Sequence, residues 1–494
     1  MKSFLSILLI SFCYSVFAQL PTLDKKRANI WYFGTAYTGY GAPGLDFSSG
    51  QPVVLTNGVN VGSTACTISN ADGNLQMYPT QFPFIANALH DSMANSKVIM
   101  SGSSQYTSQP QHYLFVPNPS NNGLIYIFTY ERGGNYPPYL YHIVDMNMEG
   151  GLGAIISINN PLYADPTVKQ TAVHHSNCRD VWVVSHQRNS NNFYAYLVTD
   201  TGVVTNPVIS SAGYVINNTN GYFGGMKLSP NGKKIAYVAK LLGVVQLFDF
   251  DNSNGIISNA ITLPTDSSLN ENNLTFSPDG TKLYICSVSG GGLPAMIHQF
   301  DVSSGDSATI VNSRALIGQT PLINPGFSLQ GIHLAPNGKI YIGKHANSNL
   351  IDSLAVIHNP NALGLSCNFE LHAIRLYGRS GTGLNNLIQS YFNEDPAAYP
   401  CFVGMENQHL TLLNNDSVAI YPNPFYDKLT IELNKPVKNC RITIHDLQGR
   451  AYYIDNRNIL ITMEIMRKNI PQGVYILKIQ GENFLHTAKI ITIN

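Results

Sequence analysis

The chain has 494 residues, room for about three domains of ~150 residues and for a sizeable core. Lys plus Arg and Asp plus Glu both number 29, so the formal net charge is zero, and charged residues make up 12% where ~25% is usual. A nucleic-acid binder needs a basic surplus and a disordered chain needs high net charge, so no nucleic-acid partner and no solvated coil is expected. In place of charge the sequence carries 41 Gly, 27 Pro and 28 Tyr. Gly and Pro supply turn dihedrals and Tyr packs on pleated surfaces, which predicts an all-β protein working outside the cytoplasm.

At the N-terminus, Met1-Lys2 precede a mostly apolar run from Phe4 to Phe17, closed by Val16-Phe17-Ala18 before Gln19. One early charge, a short apolar stretch and a small residue read as a secretory signal peptide, residues 1–18, cleaved between Ala18 and Gln19. The run is too short for a permanent anchor, and no later segment reaches ~18 apolar residues, so no membrane span is expected in the mature protein. Export permits disulfides, but the six remaining cysteines, Cys66, Cys178, Cys286, Cys367, Cys401 and Cys440, are too sparse for a disulfide scaffold. Most are expected as buried small hydrophobes. If one bridge forms, the positions favour Cys367 with Cys401, at the end of the large domain, while Cys440 stands in a separate domain.

A turn signature then recurs along the chain: Asp72-Gly73, Asn122-Gly123, Asn177-Cys178, Asn231-Gly232, Asp279-Gly280 and Asn337-Gly338, spaced by 50, 55, 54, 48 and 58 residues. Asn-Gly and Asp-Gly adopt positive φ cheaply and mark hairpins. A second set alternates with the first, ending at Gly50, Gly150, Gly202, Gly255 and Gly305, with weaker members near Asn95 and Gly364. Two hairpin turns per ~50 residues make a four-stranded unit, the blade of a β-propeller. Seven turns of the second kind against six of the first leave the first blade one strand short. Pairing Asn29–Phe33 with Leu387–Phe392 would close a seven-bladed ring over residues 19–395 and remove its open edges, six or eight blades being the alternatives. Pro396 and Pro400 open a linker over 396–417.

Several segments invite a chemical reading. Thr171 to Cys178 with Trp182 and His186 is the densest polar cluster, and His174 and His186 are candidate zinc ligands, imidazole being a competent donor. Adjacent His174 and His175 point to opposite faces of a strand and cannot easily share one ion, so a hydrogen-bonded core histidine is the plainer expectation and no metal site is assigned. Gly39 to Gly44 matches a dinucleotide pattern by letter but lacks the helix, and Asp249 to Gly255 has its Gly one position late for a calcium loop. No catalytic residue or cofactor is predicted. The aromatic stripe from Tyr126 to His142 is either blade filler or a ledge for stacking carbohydrate.

From Val418 onward, VAIYPNPFYDKLTIEL, CRITIHDLQGR, IPQGVYILKI and HTAKIITIN alternate apolar and polar residues between turns. The pattern predicts a small antiparallel β-sandwich over 418–494. This segment resembles the type A C-terminal sorting domain of the Bacteroidetes type IX secretion system. The resemblance rests on Tyr421-Pro422-Asn423-Pro424, the Asp446 to Arg450 hairpin with Gly449, Gly473-Val474-Tyr475 and Lys489. It implies passage across the outer membrane by the type IX machinery and release or attachment at the cell surface. The large domain resembles a secreted Bacteroidetes repeat family related to WD-repeat-like and lactonase-like propellers, on Tyr126 to Thr129, Tyr141 to Met146, Gly150 to Gly153, His174 to His186 and the closing GLNNLIQSYF. The expectation is a secreted propeller that binds a glycan or an envelope protein. A propeller hydrolase or lactonase holding a metal at the central channel is the alternative.

Overall fold

The computed structural model describes residues 24–34, 42–59, 61, 65–80, 84–96, 111–130, 138–217, 219–240, 242–265, 270–288, 293–321, 328–345, 352–378, 383–395, 398–399, 418–433, 436–446, 450–459, 462–481 and 484–493. The leader with Ala18 and Gln19, Cys401, Gly449 and most of the expected linker lie outside them. The chain forms two compact units, Met1–Phe402 and Val403–Asn494. Among the described residues no helix is long and apolar enough to cross a membrane.

Unit one is a series of antiparallel meanders. β1 (Ile30–Tyr32), β2 (Ala42–Asp46) and β3 (Val53–Gly58) form the first sheet, and β4 (Ile68–Ser69), β5 (Leu75–Pro79) and β6 (Ile85–Asn87) the second. The third holds β7 (Leu114–Pro117), β8 (Leu124–Tyr130), β9 (Pro138–Asp145) and β10 (Ala154–Ala164). In the fourth, β11 (Pro166–His174), β12 (Val181–Gln187) and β13 (Ser190–Thr199) are followed by β14 (Gly202–Val203) and β15 (Val208–Ile216), both paired with β13. A short helix, α1 (Thr219–Tyr222), leads to the fifth: β16 (Met226–Leu228), β17 (Lys234–Ala239), β18 (Val244–Asp251) and β19 (Ile256–Leu263). Two more meanders, β20 (Asn270–Phe276) to β23 (Ala315–Gln319) and β24 (Ser328–Leu334) to β27 (Phe369–Arg375), are joined by one pair, Val288 with Ser328.

The turn chemistry explains the repetition. Gly73, Gly123, Cys178, Gly232, Gly280 and Gly338, the second residues of the six expected turns, all have positive φ. In the alternating set Gly50, Asn95, Gly150, Gly202, Gly255 and Gly364 do as well, whereas Gly305 does not. There Asp306 instead caps α2 (Ser307–Asn312), accepting from Thr309 N, so a helical turn replaces the tight hairpin.

Side-chain clusters tie each sheet to the next. Met77 and Ile85 of the second meet Phe115 and Ile127 of the third, and Phe193 of the fourth meets Tyr237 and Phe248 of the fifth. Leu247 then packs with Leu283 and Phe300. Trp31 and Phe47 of the first sheet share a cluster with Tyr78 of the second and with Tyr341 and Leu354 of the last meander. The first and last sheets therefore meet through side chains, Trp31 lying edge-on to His333 at 5.4 Å and to Tyr341 at 6.0 Å.

That contact corrects the expected closure. Leu387–Phe392 does not pair with Asn29–Phe33: Ile388 forms a parallel bridge with Ala172, and Gln389–Phe392 is a 3-10 turn. The physical reason is that the segment is held against β11, where Ser390 Oγ accepts from His174 N, while Asn385 and Asn386 just before it are tied to Thr67, Tyr113 and Lys227.

Unit two contains β28 (Val418–Tyr421), β29 (Lys428–Leu433), β30 (Val437–Asp446), β31 (Ala451–Ile459), β32 (Thr462–Met466), β33 (Gly473–Gly481) and β34 (Phe484–Thr492). They form two sheets, ordered β28-β29-β32 and β31-β30-β33-β34, around a core that includes Phe425, Leu429, Ile442, Tyr475 and Ile490.

Candidate functional site

Two places concentrate polar chemistry: the interior of unit one and the Tyr421–Pro424 turn of unit two. Residues 385–390 run through the interior with every residue at most 1% exposed. Buried amides persist only where each donor and acceptor is met. Asn385 accepts from Thr67 N and donates to Thr67 O. Asn386 donates to Tyr113 O at 3.2 Å, accepts from Lys227 Nζ at 3.0 Å, and its carbonyl accepts from Cys66 Sγ. Ser390 Oγ accepts from His174 N at 2.9 Å and lies 2.7 Å from His174 Nδ1. Phe392 packs edge-on against His333. The segment leaves through Glu394 N to Pro278 O, an ion pair of Asp395 with Lys233 and a bond from Tyr399 OH to His174 O. One stretch of chain thus touches residues in or beside the strands and turns of six meanders.

A second set of buried amides links the third, fourth and fifth meanders. Gln111 makes a two-way pair with Met226, and Gln170 donates to Gln111 O and His112 O while accepting from Tyr139 OH. Burial lowers the Lys227 ammonium to about 7 and pushes the Cys66 thiol up to about 12, because a charge in the dry interior loses its hydration. Lys169, also held well below its ordinary value by burial, donates to the carbonyls of Gly221, Tyr222 and Phe223 at the end of α1. In the last meander Lys344, lowered to about 8, donates to Ser353 Oγ and Leu371 O and lies 3.0 Å from His372 Nδ1.

The sequence-predicted residues fall as follows. His174 is buried against Ser390 and Tyr391, and burial lowers it to about 4. His186 is buried beside Phe193 and Tyr237 and lowered to about 3. Thr167 Oγ1 bonds His186 O and His174 faces Val181, so the two imidazoles sit at opposite ends of β11 and β12. At ~3.3 Å per residue that is roughly 20 Å, too far for one ion. Among the described residues no three His, Cys, Asp or Glu side chains gather at metal-binding distance.

Of the two readings of the aromatic stripe, core filler is the one its described residues fit. Tyr126, Phe128, Tyr130 and Tyr139 are each at most 7% exposed and belong to the core between the third and fourth sheets, where Tyr139 and Tyr163 adjoin Tyr196. The expected Cys367–Cys401 bridge is corrected. Cys367 is a buried thiol beside Tyr284, as Cys66, Cys286 and Cys440 are buried thiols, and Cys178 is the disulfide-bonded residue. The partner of Cys178 lies outside the described residues.

In unit two the motif residues converge. The Tyr421–Pro424 turn, with cis bonds at both prolines, leads from β28 to Phe425, which pairs with the end of β34. Asn423 Nδ2 donates to Lys489 O at 2.8 Å, and Ile491 N donates to Asn423 Oδ1 at 2.9 Å. Tyr421 OH bonds Glu432, Tyr475 OH bonds Pro471 O, and Gly473 N bonds Thr492 Oγ1. Arg467, unremarked in the sequence, reaches the carbonyls of Tyr426, Ile470 and Ile493. The roles of Lys227, Gln111 and Gln170 are not legible in the sequence either, because their partners Asn386, Met226 and Tyr139 are distant along the chain.

Residues 419–494 match the family described as a secretion system C-terminal sorting domain. No match is found among curated proteins. Among solved structures, a Bacteroides fragilis protein assigned provisionally as a 6-phosphogluconolactonase is 11% identical, with a TM-score of 0.43, covering 72% of this chain and 97% of that one. The periplasmic gluconolactonase of Pseudomonas aeruginosa is 11% identical at a TM-score of 0.40, covering 72% and 98%. Hydrazine synthase from Kuenenia stuttgartiensis is 14% identical at 0.32, covering 52% and 66%. The chain carries a sorting domain of the type IX secretion system, which sends it to the cell surface or outside.

Proposed function

We propose that this chain is a non-enzymatic binding protein of the bacterial surface, made with a signal peptide cleaved between Ala18 and Gln19 and delivered by type IX secretion. Residues 19–395 are read as a seven-bladed β-propeller, 396–417 as a linker and 418–494 as a sorting β-sandwich that engages the secretion machinery. The succession of meanders and the cluster joining Trp31 to Tyr341 support the closed ring. The ligand class is a glycan or an envelope protein, met by the loops at one end of the ring.

The observation that carries this reading is the filled interior. In a propeller the central channel is where a small substrate and its metal would sit, and here Asn385 to Phe392 occupy the space between the inner strands, all of them buried. Their hydrogen-bond partners are Thr67, Cys66, Tyr113, Lys227 and His174, a set suited to holding main chain and poor in the carboxylates a metal-dependent lactonase needs. The test is a screen of the purified mature chain against glycans and envelope proteins from the outer surface. Saturable binding to one class is expected. Hydrolysis of lactone or ester substrates by the purified chain, with no binding partner retained, would contradict the reading.

A further inference from the structure

We infer that Asn423 is a positioning residue of the sorting address, fixing the last strand so that Lys489 and the exposed Tyr421-Pro422 turn form one face for the secretion machinery to read. The inference rests on residues 419–494 acting as that address. β34 is the outermost strand of its sheet, and an outer strand presents a row of main-chain donors and acceptors to any passing strand. Part of that row is covered by the chain itself: Phe425 N donates to Ile491 O, and Ile493 N donates to Phe425 O. One residue earlier the chain passes through Pro424, and two residues earlier the Asn423 side chain takes over. Its carboxamide offers the same paired C=O and N–H as a peptide group, and it meets Ile491 N and Lys489 O. Lys489, Ile491 and Ile493 are thus held along one continuous edge.

The surroundings explain why this matters for presentation. Phe425 is fully buried in the core and Tyr421 is tied to Glu432 at 2.8 Å, so the turn is anchored on both sides of Asn423. Ile490 is fully buried, and Lys489 beside it is exposed. Register at β34 therefore decides whether the ammonium of Lys489 or the side chain of Ile490 is exposed on this strand, since a one-residue slip exchanges the two faces of a strand. Both Asn423 bonds are solvent-exposed, and such bonds contribute little to global stability, so their loss leaves the sandwich folded.

The test uses the full chain in secreting cells, with the fraction outside the cell and the exchange rate of the Ile491 amide in purified protein as the two readouts. For Asn423→Ala, export falls several-fold and Ile491 exchanges several-fold faster, while the far-ultraviolet spectrum is unchanged. Asn423→Asp keeps the acceptor for Ile491 N and loses the donor to Lys489 O, and it gives an intermediate export defect with near-native exchange at Ile491. If Asn423→Ala speeds exchange yet is exported like the parent, or leaves exchange unchanged, the inference is overturned. Should Asn423→Ala not fold, Asn423→Asp exported at the parent level overturns it alone. Deleting 418–494 is the separate control: normal export of that truncation sinks the address itself, whatever Asn423 does.

Discussion

Lys227 Nζ donates to Asn386 Oδ1 at 3.0 Å, joining the first strand of the fifth sheet to a segment 159 residues further along the chain. Both side chains are at most 2% exposed, so the bond is made where an unmet donor is expensive. Around this contact several meanders are tied to one piece of the chain.

Asn386→Ala removes the acceptor of Lys227 and the donor to Tyr113 O together. It should lower the free energy of unfolding of unit one by about 1–3 kcal/mol, the usual penalty for leaving buried groups unmet. Ser49→Ala at an exposed turn is the control and should change stability little. Urea unfolding followed by tyrosine fluorescence distinguishes them.

Acid should weaken the same unit. His142 and His174 are lowered to about 4 and His186 to about 3, in each case first by burial, while an unfolded histidine titrates near 6.5. The unfolded chain then binds more protons than the native one below pH 6.5. Stability is full above that value and falls as the pH drops toward 4, by at most about 1.4 kcal/mol per pH unit for each histidine. His186→Phe, next to Phe193 and Tyr237, should flatten part of this slope. Urea midpoints at pH 7.5 and 4.5 measure it, and identical slopes in both proteins would count against the assignment.

The aromatic stripe gives a prediction opposite to that of a ligand ledge. Tyr139→Ala opens a cavity beside Phe128 and Tyr163 and strips Gln170 of a donor, so it should cost about 3–5 kcal/mol of stability. Thermal unfolding is the check; an unshifted transition would place the ring at the surface.

Thiol chemistry separates the cysteines. In denaturant without reductant, alkylation should label Cys66, Cys286, Cys367 and Cys440, and should reach Cys178 only after reduction. Peptide mass spectrometry reads this directly, and a labelled Cys178 before reduction would refute the bridge.

What the sequence reveals and conceals follows from the range of each interaction. The six Asn/Asp-led turns were legible because positive φ is a local demand that Gly meets within two residues, and at Asn177-Cys178 the leading Asn was enough to mark the turn. The alternation in β29 and β33 was legible for the same reason, each strand carrying its own inward face. The path of Leu387–Phe392 was hidden. As letters it reads like a strand, and only distant partners define where it runs: Ala172 and His174 for the segment itself, and Thr67, Tyr113 and Lys227 for Asn385 and Asn386 just before it. Tyr126 to Tyr139 were ambiguous because an aromatic residue is equally at home in a blade core and on a binding surface. Asn423 was noticed as part of a motif, but its grip on β34 depends on residues 66 and 68 positions away.

The most direct test of the account is the location of a chain lacking residues 418–494, measured by fractionating secreting cells against the full-length protein. The truncated chain should accumulate in the periplasm, folded and resistant to protease, with none at the surface or in the medium. Export of the truncation at the full-length level would contradict the assignment of unit two as the address on which this reading depends.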